Sequence, residues 1–259
     1  MKSAVPENIR NILDEAVMTY NSKNFITTDP IAIPHRFSRK EDIEIAGFFS
    51  ATLAWGQRPT ILKNAAKLMT MFDESPYAFI LNHSTSDLKP FRKFVHRTFQ
   101  SEDLLFFIRS LRAIYSTQGG LEMAFSYSET EMGKTLASRL HAFRTRFLET
   151  SHASRSEKHL SDPFRNSACK RLCMFLRWMV RQDKRGVDFG IWKSIQASEL
   201  CIPLDVHSGR VARNLGLLER HQNDWKAVEE LTFVLRGLNA EDPVKYDFAL
   251  FGLGVNGLV

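Results

Sequence analysis

The stretch 201–218, CIPLDVHSGRVARNLGLL, sets a carboxylate at the start of a basic helical pattern. Pro203 restricts the approach, Asp205 falls where a helix N-cap belongs, and His207, Arg210 and Arg213 follow. Backbone N–H groups and the positive end of the helix dipole favour an ionised Asp205. The plain reading is a helix cap. The chemical reading is a permanently charged carboxylate that faces a reacting cation. His207 reads as structural or as a contact to phosphate. Arg210 and Arg213 share one face, which suits phosphate or solvent equally.

A second basic pattern lies just upstream, in KRLCMFLRWMVRQDK (residues 170–184). At about 100° per residue, Lys170, Arg177, Arg181 and Lys184 fall within roughly 40° of one line. Leu172, Phe175, Leu176 and Met179 gather opposite. One side therefore reads as core and the other as a cationic stripe, either solvated or suited to tracking phosphates. LAWGQRP (residues 53–59) interrupts a helix. There Trp55 can stack on a base, Gln57 can bond a base edge and Arg58 can hold phosphate. The competing reading is a turn whose Trp packs inward. Trp178, Trp192 and Trp225 are assigned to packing.

The elements that carry these residues read as helices throughout. Pro6 suits the first turn of a helix with Ile9, Ile12, Leu13, Ala16 and Val17 on one face. Residues 29–37, DPIAIPHRF, hold two prolines and are expected to be extended. Ser38 and Glu41 suggest a capping box before the next helix. Further helices are expected in EDLLFFIRSLRAIYS, KTLASRLHAFRTRFLE, KRLCMFLRWMVRQ, VHSGRVARNL, DWKAVEELTFVLRGL and DPVKYDFALFGLG. In the last, Asp242 reads as a cap and Pro243 as a first-turn residue. Gly216 reads as a helix stop. No alternating strand pattern persists, so the expected class is all-α. The polar residues 151–163 read as an exposed loop.

Composition sets bounds on function. The chain has 259 residues, a hydrophobic share of 44% and 20 Phe, enough for a large core. Its net charge of +6 favours polyanionic partners. Cys169, Cys173 and Cys201 form no C-x-x-C pair, which suggests a reducing compartment and cannot supply a four-thiolate cluster. No apolar run reaches membrane-spanning length and the amino terminus is no signal peptide, so a cytoplasmic protein is expected.

The paired segments NSACKRLCMFLRWM and IPLDVHSGRVARNLGLL resemble the core of the helix-hairpin-helix (HhH-GPD) DNA glycosylase superfamily. LDVHSGRVARNLGL follows that superfamily's V-D-[TV]-H-x-x-R-V pattern at Asp205, His207, Arg210 and Val211. ACKRLCMFL puts Lys170 at its lysine position. Nearly the whole chain, including DPIAIPHRF, FFSATLAWGQR and KYDFALFGLG, is similar to the uncharacterised bacterial DUF2400 family, which is grouped with the same superfamily.

The resemblance implies an all-α, two-lobed glycosylase-like domain over residues 1–259, with a cleft between lobes. It implies Lys170 as the amine that forms a Schiff base with the sugar, and Asp205 as the carboxylate that stabilises an oxocarbenium-like centre. A stripe of like charges would favour the neutral, nucleophilic form of such a lysine. The implied activity is base excision from damaged double-stranded DNA, with or without an AP-lyase step. The distance between lysine and aspartate along the chain is longer than in the endonuclease III branch. It is closer to the archaeal 8-oxoguanine branch, so the expected substrate is an oxidised purine such as 8-oxoguanine. Trp55, Gln57, Arg58, Arg177, Arg181, His207 and Arg210 are the expected nucleic-acid contacts. No cofactor, no Fe–S cluster, no membrane partner and a monomer are expected. The hairpin departs from the pattern, because NSACK lacks the usual glycines. That departure keeps open a non-catalytic nucleic-acid-binding protein with the same fold, or action on RNA or a free nucleoside.

Overall fold

The computed structural model describes residues 5–126 and 135–257. Residues 1–4 of the amino terminus, and Lys134, where one of the quoted segments begins, lie outside that range. Among the described residues there is no strand, only two isolated bridges, His96 with Phe99 and Ser167 with Asp224. The class is all-α, as expected. No helix of the described residues is long and apolar enough to cross a membrane. The chain divides into two compact units, one of Met1–Thr27 with Asp162–Val259 and one of Thr28–Ser161.

The first unit opens with α1 (Glu7–Tyr20) and the short α2 (Lys23–Ile26). The second unit holds α3 (Lys40–Leu53), α4 (Arg58–Met71), α5 (Pro76–Asn82), α6 (Ser101–Thr117), α7 (Leu121–Ser126) and α8 (Leu136–Phe147). The first unit resumes with α9 (Lys170–Val180), α10 (Val206–Asn214), α11 (Trp225–Leu238) and α12 (Tyr246–Val255).

In the second unit α3 is the central helix, buried on every side from Ile43 to Leu53. Its apolar run is why: a helix that is hydrophobic all round has no solvent face. Phe48 stacks on Phe107 at 5.9 Å and meets Phe143 edge-on at 5.8 Å. Such offset and edge-on pairs add to the burial itself. Residues 29–37 are not extended. They form two 3₁₀ turns, Pro30–Ala32 and Pro34–Arg36, each begun by a proline. Asp29 Oδ1 accepts the Ile31 N–H at 3.0 Å, and a proline φ suits such a turn. The Ser38–Glu41 box is also absent. Arg39 is the cap residue of α3, and its guanidinium bonds Glu41 at 2.9 Å.

Residues 151–163 are more than an exposed loop, since a 3₁₀ turn at Ser154–His159 buries Ser156 and His159. Both face Asp103, which is fully buried. Asp103 accepts the Gln100 N–H at 2.7 Å, the Ser156 hydroxyl at 2.6 Å and Arg155 Nη1 at 2.9 Å, with His159 Nε2 at 3.3 Å. These partners outweigh burial and hold its carboxyl below the usual range. The charged form is therefore favoured by folding. Its contribution is complete above about pH 4, the unfolded carboxylate value, and is lost as pH falls through the lower folded value. Asp103→Asn is expected to cost roughly 1.5–3 kcal/mol at neutral pH. Urea unfolding should show the gap to wild type narrowing in acid; a gap that does not change with pH would remove the charge from the account.

In the first unit α12 is the central apolar helix. A Cβ on Gly252 would sit 2.2 Å from the Tyr20 ring, and one on Gly254 would sit 3.0 Å from the His207 carbonyl. The two glycines thus let α1 and α10 lie close against α12. Asp242 does not cap this helix. Pro243–Lys245 forms a 3₁₀ turn first, and the Asp242 carboxylate is taken by Arg181. Gly216 does end α10, with φ 69° and its N–H on the Arg213 carbonyl.

Candidate active site

Lys170 is the first residue of α9, and the turn before it is left-handed twice. Asn166 has φ 59° and Cys169 has φ 48°, both in the region glycine usually takes. A non-glycine residue there costs roughly 1–2 kcal/mol. The turn thus reaches positive φ without a glycine, through an asparagine and a cysteine. The turn is fastened to the start of α11. Asn166 Nδ2 donates to Asp224 Oδ2 at 3.0 Å, and the Trp225 N–H donates to the Asn166 carbonyl at 3.4 Å. Asp224 caps α11 and is gripped by Arg220, which holds its carboxyl well below the usual range.

Asp205 caps α10. Its Oδ1 accepts the N–H groups of His207 at 2.9 Å and Ser208 at 3.0 Å, and its own N–H donates to Ser208 Oγ at 2.9 Å. The main chain is held as well: Asn223 Nδ2 donates to the Asp205 carbonyl at 3.0 Å. Asn223 in turn accepts from Arg213 Nη2 at 2.6 Å. With Oδ1 committed to the helix, Oδ2 is left for Lys170 Nζ, 3.7 Å away. That is ion-pair contact and longer than a hydrogen bond. The two side chains are 27% and 23% exposed, so neither is sealed from solvent. Asp205 is thus a cap through one oxygen and a partner of the lysine through the other.

Two of the four residues of the cationic stripe are not on the surface. Arg177 and Arg181 are buried, α9 ends at Val180, and Lys184 lies beyond it. Arg177 bonds Asp188 Oδ1 at 3.2 Å and makes a close ion pair with Asp247. Arg181 bonds Asp188 at 3.0 Å, Asp183 at 2.8 Å and Asp242 at 2.9 Å. Both guanidiniums also lie over the Phe248 ring. A phosphate has no access to them. The physical reason is that carboxylates from the next segment and from the end of the chain cover the face that the wheel assigned to water.

Asp247 is the residue that pattern reading missed. It is buried on α12, and burial pushes its carboxyl up to about 6, with Arg177 pulling the other way. The charges of Asp205 and Lys170 also act on it. The signal was visible: one carboxylate in the apolar run YDFALFGLGV needs a reason to be there.

The remaining expected contacts are scattered. The His207 ring is exposed and meets Phe251 edge-on at 6.5 Å. Arg210 Nη2 donates to the Gly254 carbonyl at 2.8 Å, near the end of α12. Trp55, Gln57 and Arg58 belong to the other unit, between α3 and α4. There Arg97 covers the Trp55 ring at 4.9 Å and His96 meets it edge-on at 5.8 Å. Gln57 is exposed and caps α4, which Arg58 begins. The three cysteines are buried and unpaired in disulfides. Burial pushes the Cys201 thiol up to about 11 and the Cys173 thiol well above its usual value, so neither offers a thiolate.

A family model for a protein of unknown function, DUF2400, matches residues 29–256, most of the chain. The chain belongs to the DUF2400 family. Both Lys170 and Asp205, and Asp247 beside them, lie inside the part of the chain that defines DUF2400. No curated protein and no solved structure matches.

Proposed function

We propose that this DUF2400 protein is a DNA base-excision glycosylase with an AP-lyase step, acting on an oxidised purine such as 8-oxoguanine. The observation that carries the reading is the Lys170–Asp205 pair, at 3.7 Å with both side chains partly open. Cleavage of an N-glycosidic bond builds positive charge at C1′, and Asp205 Oδ2 supplies fixed negative charge there. Its partner oxygen is locked by two helix N–H groups, so it need not reorganise as the charge develops. The neutral Lys170 amine attacks C1′ as the N-glycosidic bond breaks, and the departing base takes one of its protons; the C1′–O4′ bond then opens, O4′ takes the other proton, and the nitrogen is left in the C1′=N bond of a Schiff base. Asp247 is a second carboxylate, on which the charges of the pair act. His207 and Arg210 are the contacts nearest the carboxylate for the DNA backbone; Arg177 and Arg181 have no part in it.

Borohydride trapping tests the reading. The full chain is incubated with duplexes that carry 8-oxoguanine or an abasic site, then reduced. A covalent adduct is expected with wild type and is absent with Lys170→Met. No adduct with wild type, on either duplex, would remove the lyase. If base release is absent as well, a non-catalytic DNA-binding protein with this fold takes the place of the enzyme.

A further inference from the structure

We infer that a groove on the second unit, remote in sequence from Lys170 and Asp205, binds a phosphoryl anion. The groove has a volume of about 710 Å³ and lies between residues 83–88 and one face of α6. That size suits a small ligand. Arg109 and Arg112 both line it, one helical turn apart. Neither has a carboxylate partner among the described residues. Each is instead held by a main-chain carbonyl: Arg109 Nη2 donates to Ser151 at 3.1 Å, and Arg112 Nη1 to His83 at 3.3 Å. One edge of each guanidinium is thereby fixed while other N–H groups stay available. The contrast with Arg177 and Arg181, neutralised by four aspartates, is direct.

His83 lines the same groove. Its ring stacks on Phe79, and Nδ1 meets the Phe79 carbonyl at 2.9 Å, which puts the ring hydrogen on Nδ1. The Thr85 and Ser116 hydroxyls line the same groove and can donate to phosphoryl oxygens. Asp87, in the neighbouring turn, is occupied by the Ser84 N–H and hydroxyl, both at 2.8 Å. Two forked cations and two hydroxyls form a donor set matched to a phosphate mono- or diester. A free phosphorylated compound and the phosphodiester of a nucleic acid share that chemistry.

Calorimetric titration of the full chain separates the two sources, with pyrophosphate in one arm and a short unphosphorylated single-stranded oligonucleotide in the other. Binding in at least one arm is expected to weaken by about tenfold or more in Arg112→Gln and to vanish in Arg109→Gln/Arg112→Gln. Arg112→Lys, which keeps the charge but not the fork, should fall between. Circular dichroism confirms that each variant is folded. The readout is binding and not base release, so its failure and the failure of the glycosylase reading are distinguishable. Binding by pyrophosphate alone assigns a free phosphorylated ligand; binding by the oligonucleotide alone assigns a nucleic-acid backbone. If neither probe binds wild type, or if the folded double variant binds both as wild type does, the inference is overturned.

Discussion

Asp205→Asn is expected to slow base release by about 10²–10³-fold while the protein unfolds at nearly the wild-type urea concentration. The two halves of the expectation come from the two oxygens. Asparagine ranks with aspartate as an N-cap, and its side-chain oxygen can still accept the His207 and Ser208 N–H groups. The start of α10 therefore survives. What disappears is the negative charge 3.7 Å from Lys170 Nζ. Asp205→Ala loses the cap too, at a further cost of about 0.5–2 kcal/mol in stability. Single-turnover release of 8-oxoguanine, measured beside urea unfolding, separates the effects. An Asp205→Asn protein that releases base at the wild-type rate would reduce Asp205 to a cap and nothing else.

How far these residues could be read in advance depends on what pattern encodes. Asp205 was legible because a cap is a local device: a proline, an aspartate and a helical pattern lie within a few residues. The helices α9, α10 and α11 were legible for the same reason, since their periodicity is local. The left-handed turn at Asn166 and Cys169 was not, because nothing in NSACK marks positive φ without a glycine. It is held by Asp224, far along the chain. Residues 29–37 show a weaker version of this. Two prolines break a helix, but they equally begin 3₁₀ turns, and Asp29 decides between those outcomes through one hydrogen bond.

The stripe on α9 failed for a more general reason. A helical wheel separates two faces but cannot say that both are covered. Arg177 and Arg181 share a face, yet that face meets Asp183 and Asp188 from the next segment and Asp242 and Asp247 from the last. The apolar character of α12 was visible, and so was its lone aspartate. Pairing that aspartate with an arginine 70 residues upstream requires the fold.

Arg177→Met is the substitution expected to damage stability most. It preserves length and packing over Phe248 but strips the guanidinium from Asp188 and Asp247, which are both buried. Asp188 keeps its bond to Arg181 at 3.0 Å, so the larger burden falls on Asp247. Leaving a buried charge without its partner costs about 3–5 kcal/mol. The sign of the pH dependence follows from Asp247. Burial already sets its folded value at about 6 with Arg177 present. That lies above the unfolded carboxylate value of about 4, so the folded state holds the extra proton. The Asp247 contribution to wild-type stability is therefore largest in acid, declines between about pH 4 and 6, and levels off above. Without Arg177 the carboxyl moves higher still, and the decline continues toward neutral pH. Urea unfolding across that range should show the variant closest to wild type in acid and furthest at neutral pH. Adding Asp247→Asn to Arg177→Met should recover part of the neutral-pH loss, because an amide carries no charge to bury. A double variant no more stable than Arg177→Met would place the cost on Asp188 instead.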